Sequence, residues 1–153
     1  MATWTESTKT QQAGAERTPG QIVLFVDDEK AIRACMCAAL TQAGYRVVQA
    51  GDGRAAVRVL LSRHIDLLVT DLIMPEQEGI ETILYVRKHL PDLNVIAISG
   101  GDPVHLKAAK SLGARAVLRK PFSADELVAA ADSICSPAPD PVGGMPGAEE
   151  DSA

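Results

Sequence analysis

The stretch IVLFVDDE, residues 22–29, decides the fold. Five apolar residues stand in a row with no polar interruption, and three acids follow at once. A strand with one face in water would alternate, so an unbroken run predicts a strand covered on both faces, as in parallel sheets. Beyond the acids the spacing changes. Ile32, Met36, Ala39, Leu40 and Ala43 recur at helical intervals, and Gly44 is placed to stop that helix. The same alternation continues to residue 134. Residues 45–49 read as a second strand, and Asp52 as the cap of a helix whose Val57, Leu60 and Leu61 share a face. Residues 66–70 form the third strand, and Ile80, Ile83, Leu84 and Arg87 mark a helix that Pro91 ends. Residues 94–98 form the fourth strand, and Asp102-Pro103 opens a helix that Gly113 closes. Residues 116–118 make the fifth strand, and Ser123 caps a last helix through about Ile134. Five strands alternating with five helices predict an α/β, doubly wound, five-stranded parallel sheet with helices on both faces. Right-handed crossovers make the flavodoxin-like order 2-1-3-4-5 the expected topology.

Composition agrees with one such domain. The chain has 153 residues, 46% of them hydrophobic but only 3% aromatic, so the core must be Val, Ile, Leu and Ala. No apolar run approaches the ~18 residues of a membrane span. The opening MATWTESTKTQQ lacks a basic segment followed by an apolar one, which argues against a secretory signal and for a cytoplasmic protein. Net charge is −5, and residues 136–153 carry four acids with no Lys or Arg. The remainder is close to neutral, without the basic excess of a nucleic-acid footprint. Residues 1–20 are polar and aperiodic, and 136–153 are rich in Pro and Gly, so both are expected to be disordered tails around a domain at 21–135. Cys35 and Cys37 lie two apart on a helix and lack metal-ligand spacing, so they read as small buried residues.

In open α/β sheets, ligands bind past the carboxyl ends of the strands. Asp27, Asp28 and Glu29 follow the first strand and Asp71 the third. Ser99 with Gly100 and Gly101 follows the fourth, and Lys120 with Pro121 the fifth. Any one of these has a bland reading: an Asp after a strand usually caps a helix, as Asp28 could, and a lone Lys is usually solvated. Their joint placement is more specific. Carboxylates crowded on adjacent strand ends repel unless a cation sits among them, and hard oxygen donors without Cys or His favour Mg²⁺. An amine and a hydroxyl opposite can grip phosphoryl oxygens, so the set suits phosphoryl transfer to a carboxylate. His64, His89 and His105 stand alone and offer no comparable constellation.

The segments IVLFVDDE (22–29), DLLVTDLIMPEQEG (66–79), NVIAISG (94–100) and ARAVLRKPF (114–122) together resemble the receiver domain of bacterial two-component response regulators, over residues 21 to about 135. The resemblance implies that Asp71 accepts a phosphoryl group from a histidine kinase or phosphotransfer protein. It implies that Asp28 binds Mg²⁺ directly, Asp27 through water, and that Asp71 and the backbone carbonyl of Ile73 complete the ligand set. It gives Lys120 and Ser99 to the phosphoryl oxygens and a cis bond before Pro121. Many members carry an aromatic ring where this chain has Val117, so the switch of Ser99 must be reported by packing rather than by a swinging ring. With little chain after Ile134, the expectation is a stand-alone receiver acting by partner docking or phosphorelay through the fourth-helix, fifth-strand and fifth-helix face, the face that would also serve a homodimer. An unknown downstream protein is the implied partner; nucleic acid and membrane are not. The alternative is a pseudo-receiver, a protein-binding module without phosphorylation. An Asp-nucleophile phosphatase would want a second Asp at position 73, where Ile73 stands, and a flavin-binding fold would want a phosphate loop after the first strand.

Overall fold

The computed structural model describes residues 20–72, 78–100 and 102–135. Five strands, β1 (Ile22–Val26), β2 (Arg46–Ala50), β3 (Leu67–Asp71), β4 (Asn94–Ser99) and β5 (Ala116–Arg119), alternate with five helices. These are α1 (Lys30–Gln42), α2 (Gly53–Ser62), α3 (Glu78–His89), α4 (Pro103–Ser111) and α5 (Ala124–Cys135). The sheet is wholly parallel, in the order β2-β1-β3-β4-β5. The predicted doubly wound topology is therefore the observed one.

Alternation along each strand explains the unbroken apolar runs. Leu24 and Val26 enter one core layer with Leu68, Val95 and Ala97, against Ala56 and Leu60 of α2, Ile83 and Val86 of α3, and Ala109 of α4. Val23 and Phe25 enter the other with Leu67, Val69, Ile96 and Ile98, against Met36 and Leu40 of α1 and Leu127 and Ala131 of α5. Both faces are apolar because both are covered. On the α1/α5 side, Tyr45 is buried just before β2 and its hydroxyl donates to Asp132 Oδ1 on α5 at 2.5 Å.

The predicted stops and caps hold. Gly44 (φ 106°) and Gly113 (φ 87°) adopt the left-handed conformation that ends α1 and α4. Asp52 Oδ1 accepts from Ala55 N, Asp102 Oδ1 accepts from Val104 N, and Ser123 and Glu126 form a reciprocal capping box. Asp28 does not cap α1. Glu29 occupies that position without a side-chain bond, and its N–H donates instead to Asp27 Oδ1.

Three expectations about buried faces need correction. On α2 the core side is Gly53, Ala56 and Leu60, while Leu61 is 71% exposed. Successive helical residues diverge by about 100°, and here the sheet covers the Leu60 side and leaves Leu61 to solvent. On α3 the buried apolar side chains are Ile83 and Val86, and Leu84 is half exposed on the side away from the sheet. Cys37 is buried, but Cys35 is exposed on α1. The readings of residues 1–19 and 136–153 as tails lie outside the described residues.

Candidate functional site

Asp27, Asp28, Asp71, Ser99 and Lys120 meet at the carboxyl edge of the sheet. Asp27 and Asp28 follow β1, Asp71 is the last residue of β3, Ser99 the last of β4, and Lys120 follows β5. Parallel pairing in register, Val26 with Thr70 and Asp71 with Ile98, brings these ends level. The carboxylates of Asp27, Asp28 and Asp71 lie within 4.8 Å of one another, which is the spacing of a cation site. Asp27 and Ser99 are fully buried and Asp71 nearly so, while Asp28 is exposed.

Lys120 closes the other side. Its Nζ donates to Asp71 Oδ2 at 2.8 Å and lies 3.5 Å from Glu29 Oε1 and 3.7 Å from Asp27 Oδ2. Its backbone N–H donates to Ser99 O at 2.7 Å, which ties the loop after β5 to the end of β4, and the Lys120–Pro121 bond is cis. Burial works against the ammonium, but the hydrogen bond and charge of Asp71, with Asp27 and Glu29, outweigh it and hold the Lys120 pKa above its ordinary value.

The Asp27 pKa is raised as well, which for a carboxyl favours the neutral form. Loss of solvent raises its pKa most, the Glu29 N–H and the Lys120 charge oppose this, and the Asp71 and Asp28 charges add to the rise. Among the described residues, Asp27 Oδ2 is buried without a hydrogen-bond partner. A buried, unsatisfied carboxylate oxygen beside two further carboxylates fits a hard divalent cation bound through oxygen, as Mg²⁺ is. The expected ligand at Ile73 lies outside the described residues.

Val117, in the middle of β5, is half buried and packs against the core layer of α2, α3 and α4. The histidines stand apart from this constellation. His64 Nε2 is 2.6 Å from Asp66 Oδ1 before β3, His89 packs on Tyr85, and His105 lies beside Asp102 in the first turn of α4.

Two residues that the sequence did not single out shape the site. A Cβ on Gly79 would stand 2.1 Å from Asp71 O and 2.7 Å from Leu72 Cα, so the start of α3 approaches β3 as only glycine permits. A glycine inside a helix, where it costs about 1 kcal/mol relative to Ala, was the available signal. Arg33 on α1 donates from Nη1 to Asp27 O at 2.7 Å. Nothing in its spacing distinguished it from a solvated helix arginine.

An aspartate-rich, lysine-closed pocket at the carboxyl edge of a 2-1-3-4-5 sheet defines a receiver-type module. The family model for the response regulator receiver domain matches residues 23–132, and the chain belongs to that family, the receiver domains of two-component systems. The chain is 35% identical over 108 residues to the DNA-binding transcriptional regulator NtrC of Azospirillum brasilense, covering 69% of this chain and 22% of that protein. It is 35% identical to the response regulator MprA of Mycolicibacterium vanbaalenii, covering 70% and 47%. It thus spans less than half the length of those two relatives. The probable chemotaxis protein CheY of Rhizobium etli is 32% identical over 117 residues, covering 73% of this chain and 90% of that one. Among solved structures, Vibrio cholerae CheY4 superposes with a TM-score of 0.71 at 29% identity, covering 75% and 98%. The response regulator TrrA of Thermotoga maritima, solved in complex with Mg²⁺-BeF, superposes with a TM-score of 0.68 at 28% identity, covering 74% and 98%.

Proposed function

We propose that this chain is a phosphoacceptor switch in which Asp71 takes a phosphoryl group from the phosphohistidine of a histidine kinase or phosphotransfer protein. The observation that carries the reading is the Lys120 ammonium 2.8 Å from Asp71 Oδ2, inside a cluster of three carboxylates. The P–O bond forms on the Asp71 carboxylate as the P–N bond of the donor breaks, and the imidazole leaves with that electron pair and a proton from solvent. Lys120 exchanges its bond to Asp71 for one to a phosphoryl oxygen, and the Ser99 hydroxyl moves to bind a second. Asp27, Asp28 and Asp71, with the Ile73 carbonyl that the family resemblance implies, would hold Mg²⁺, which, when bound, would offset the negative charge that gathers where two anions meet. The Mg²⁺-BeF complex of the Thermotoga relative supports Mg²⁺ as the cation.

The protein then acts as a single-domain, cytoplasmic regulator, signalling through a docked protein or by phosphorelay. The match over 90% of the Rhizobium relative supports a reading in which the receiver module signals by itself. With Val117 in place of a ring, the motion of Ser99 is reported through repacking of β5 and α4. Incubation with acetyl phosphate and Mg²⁺, followed by intact mass measurement, tests the reading. The expected result is a gain of one phosphoryl group, abolished by Asp71→Asn and by chelation of Mg²⁺. No gain from acetyl phosphate or any phosphohistidine donor would leave a protein-binding module instead.

A further inference from the structure

The acidic pair after β1 is held from behind. Asp27 N–H reaches back to Ala50 O at 3.3 Å, the last bond before β1 and β2 part. Its carbonyl lies past the end of the ladder, and Arg33 Nη1 supplies a donor to it at 2.7 Å. Asp27 Oδ1 takes the Glu29 N–H at 2.8 Å. Three of the four polar atoms of Asp27 are thereby tied, and only Oδ2, buried and without a hydrogen-bond partner among the described residues, is left to face Lys120 and the other carboxylates.

We propose that Arg33 is a positioning residue for the cation site, an inference that rests on the Mg²⁺ reading above. The Asp27 carbonyl and the Asp28 nitrogen belong to one planar peptide that ends in both Cα atoms, so anchoring the oxygen restrains the positions from which both side chains leave. One hydrogen bond from α1 therefore helps to position two ligands at once. Arg33 is also a cation, and charge alone would repel Mg²⁺ and weaken its binding. Orientation and charge predict opposite signs when Arg33 is neutralised, which makes them separable.

The experiment is calorimetric titration of Mg²⁺ into the full chain, unphosphorylated, for wild type, Arg33→Gln and Arg33→Lys. Residues that orient metal ligands typically change affinity 10- to 100-fold when replaced, so Arg33→Gln is expected to raise the Mg²⁺ Kd about tenfold. Arg33→Lys keeps a charged donor without the planar fork and is expected to fall between the two. An unchanged or lower Kd in Arg33→Gln overturns the proposal. If that variant does not fold, a Kd in Arg33→Lys equal to wild type overturns it. A wild-type chain that binds no Mg²⁺ overturns the cation reading itself and this inference with it, whereas wild-type binding with an indifferent Arg33 removes this inference alone.

Discussion

Asp27 carries an energetic conflict that pH should expose. Its pKa in the folded chain lies above the ordinary 3.8, because burial, with the Asp71 and Asp28 charges, outweighs the Glu29 N–H and the Lys120 charge. A raised carboxyl pKa means that folding favours the bound proton there. The contribution to stability is full below the unfolded pKa and is lost as pH rises through the folded one. Near pH 7, without divalent cation, ionised Asp27 is a cost. Asp27→Asn keeps an oxygen to accept the Glu29 N–H and removes the charge. The metal-free variant should therefore melt higher than wild type at pH 7, and the difference should vanish below pH 4. A variant that melts lower than wild type at pH 7 would show that attraction to Lys120 outweighs burial at this carboxylate. The sequence showed Asp27 as one of two adjacent acids. Only the structure distinguishes the buried, tethered Asp27 from the exposed Asp28.

Elements place these residues, and the join between β3 and α3 is the tightest such placement. Gly79 admits α3 within contact of the Asp71 carbonyl. Gly79→Ala must push either the helix or the Asp71–Leu72 backbone away. Such overpacking is expected to cost about 1–3 kcal/mol in denaturant unfolding. It should also slow acetyl phosphate labelling at saturating Mg²⁺, where metal affinity no longer limits the rate. Labelling at the wild-type rate would show that the helix, and not Asp71, gives way. The elements themselves were legible. Strands covered on both sides announce themselves as apolar runs, and Asp52, Asp102 and Ser123 declare helix starts through bonds to their own backbone. Helix faces were less so. Where two leucines are adjacent, as Leu60 and Leu61 are, composition cannot say which one the sheet covers, because both have the same affinity for it.

Across the whole molecule, the three-carboxylate cluster draws on two strand ends, so binding of a cation there should be read in global stability. A ligand that binds only the folded state adds about 1.4 kcal/mol at ten times its Kd. Millimolar Mg²⁺ is therefore expected to raise the melting temperature of wild type at pH 7, by differential scanning calorimetry, and to leave Asp28→Asn nearly unmoved. An equal rise in both would point to nonspecific screening rather than to a site. Asp71 draws on the same coupling, for its carboxylate is shared between that cluster and Lys120 from the end of β5.

The sequence by itself determined the doubly wound sheet, its punctuation, and the identity of Asp27, Asp28, Asp71, Ser99 and Lys120 as the residues at its carboxyl edge. Periodicity and caps are local properties, and in a parallel sheet local order implies which ends come together. The tertiary structure alone decided which acid is buried, that Lys120 rests on Asp71, that Gly79 must be small and that Arg33 turns back to hold Asp27. These depend on side chains from distant elements meeting in space, and burial and a shared hydrogen bond leave no period in the chain.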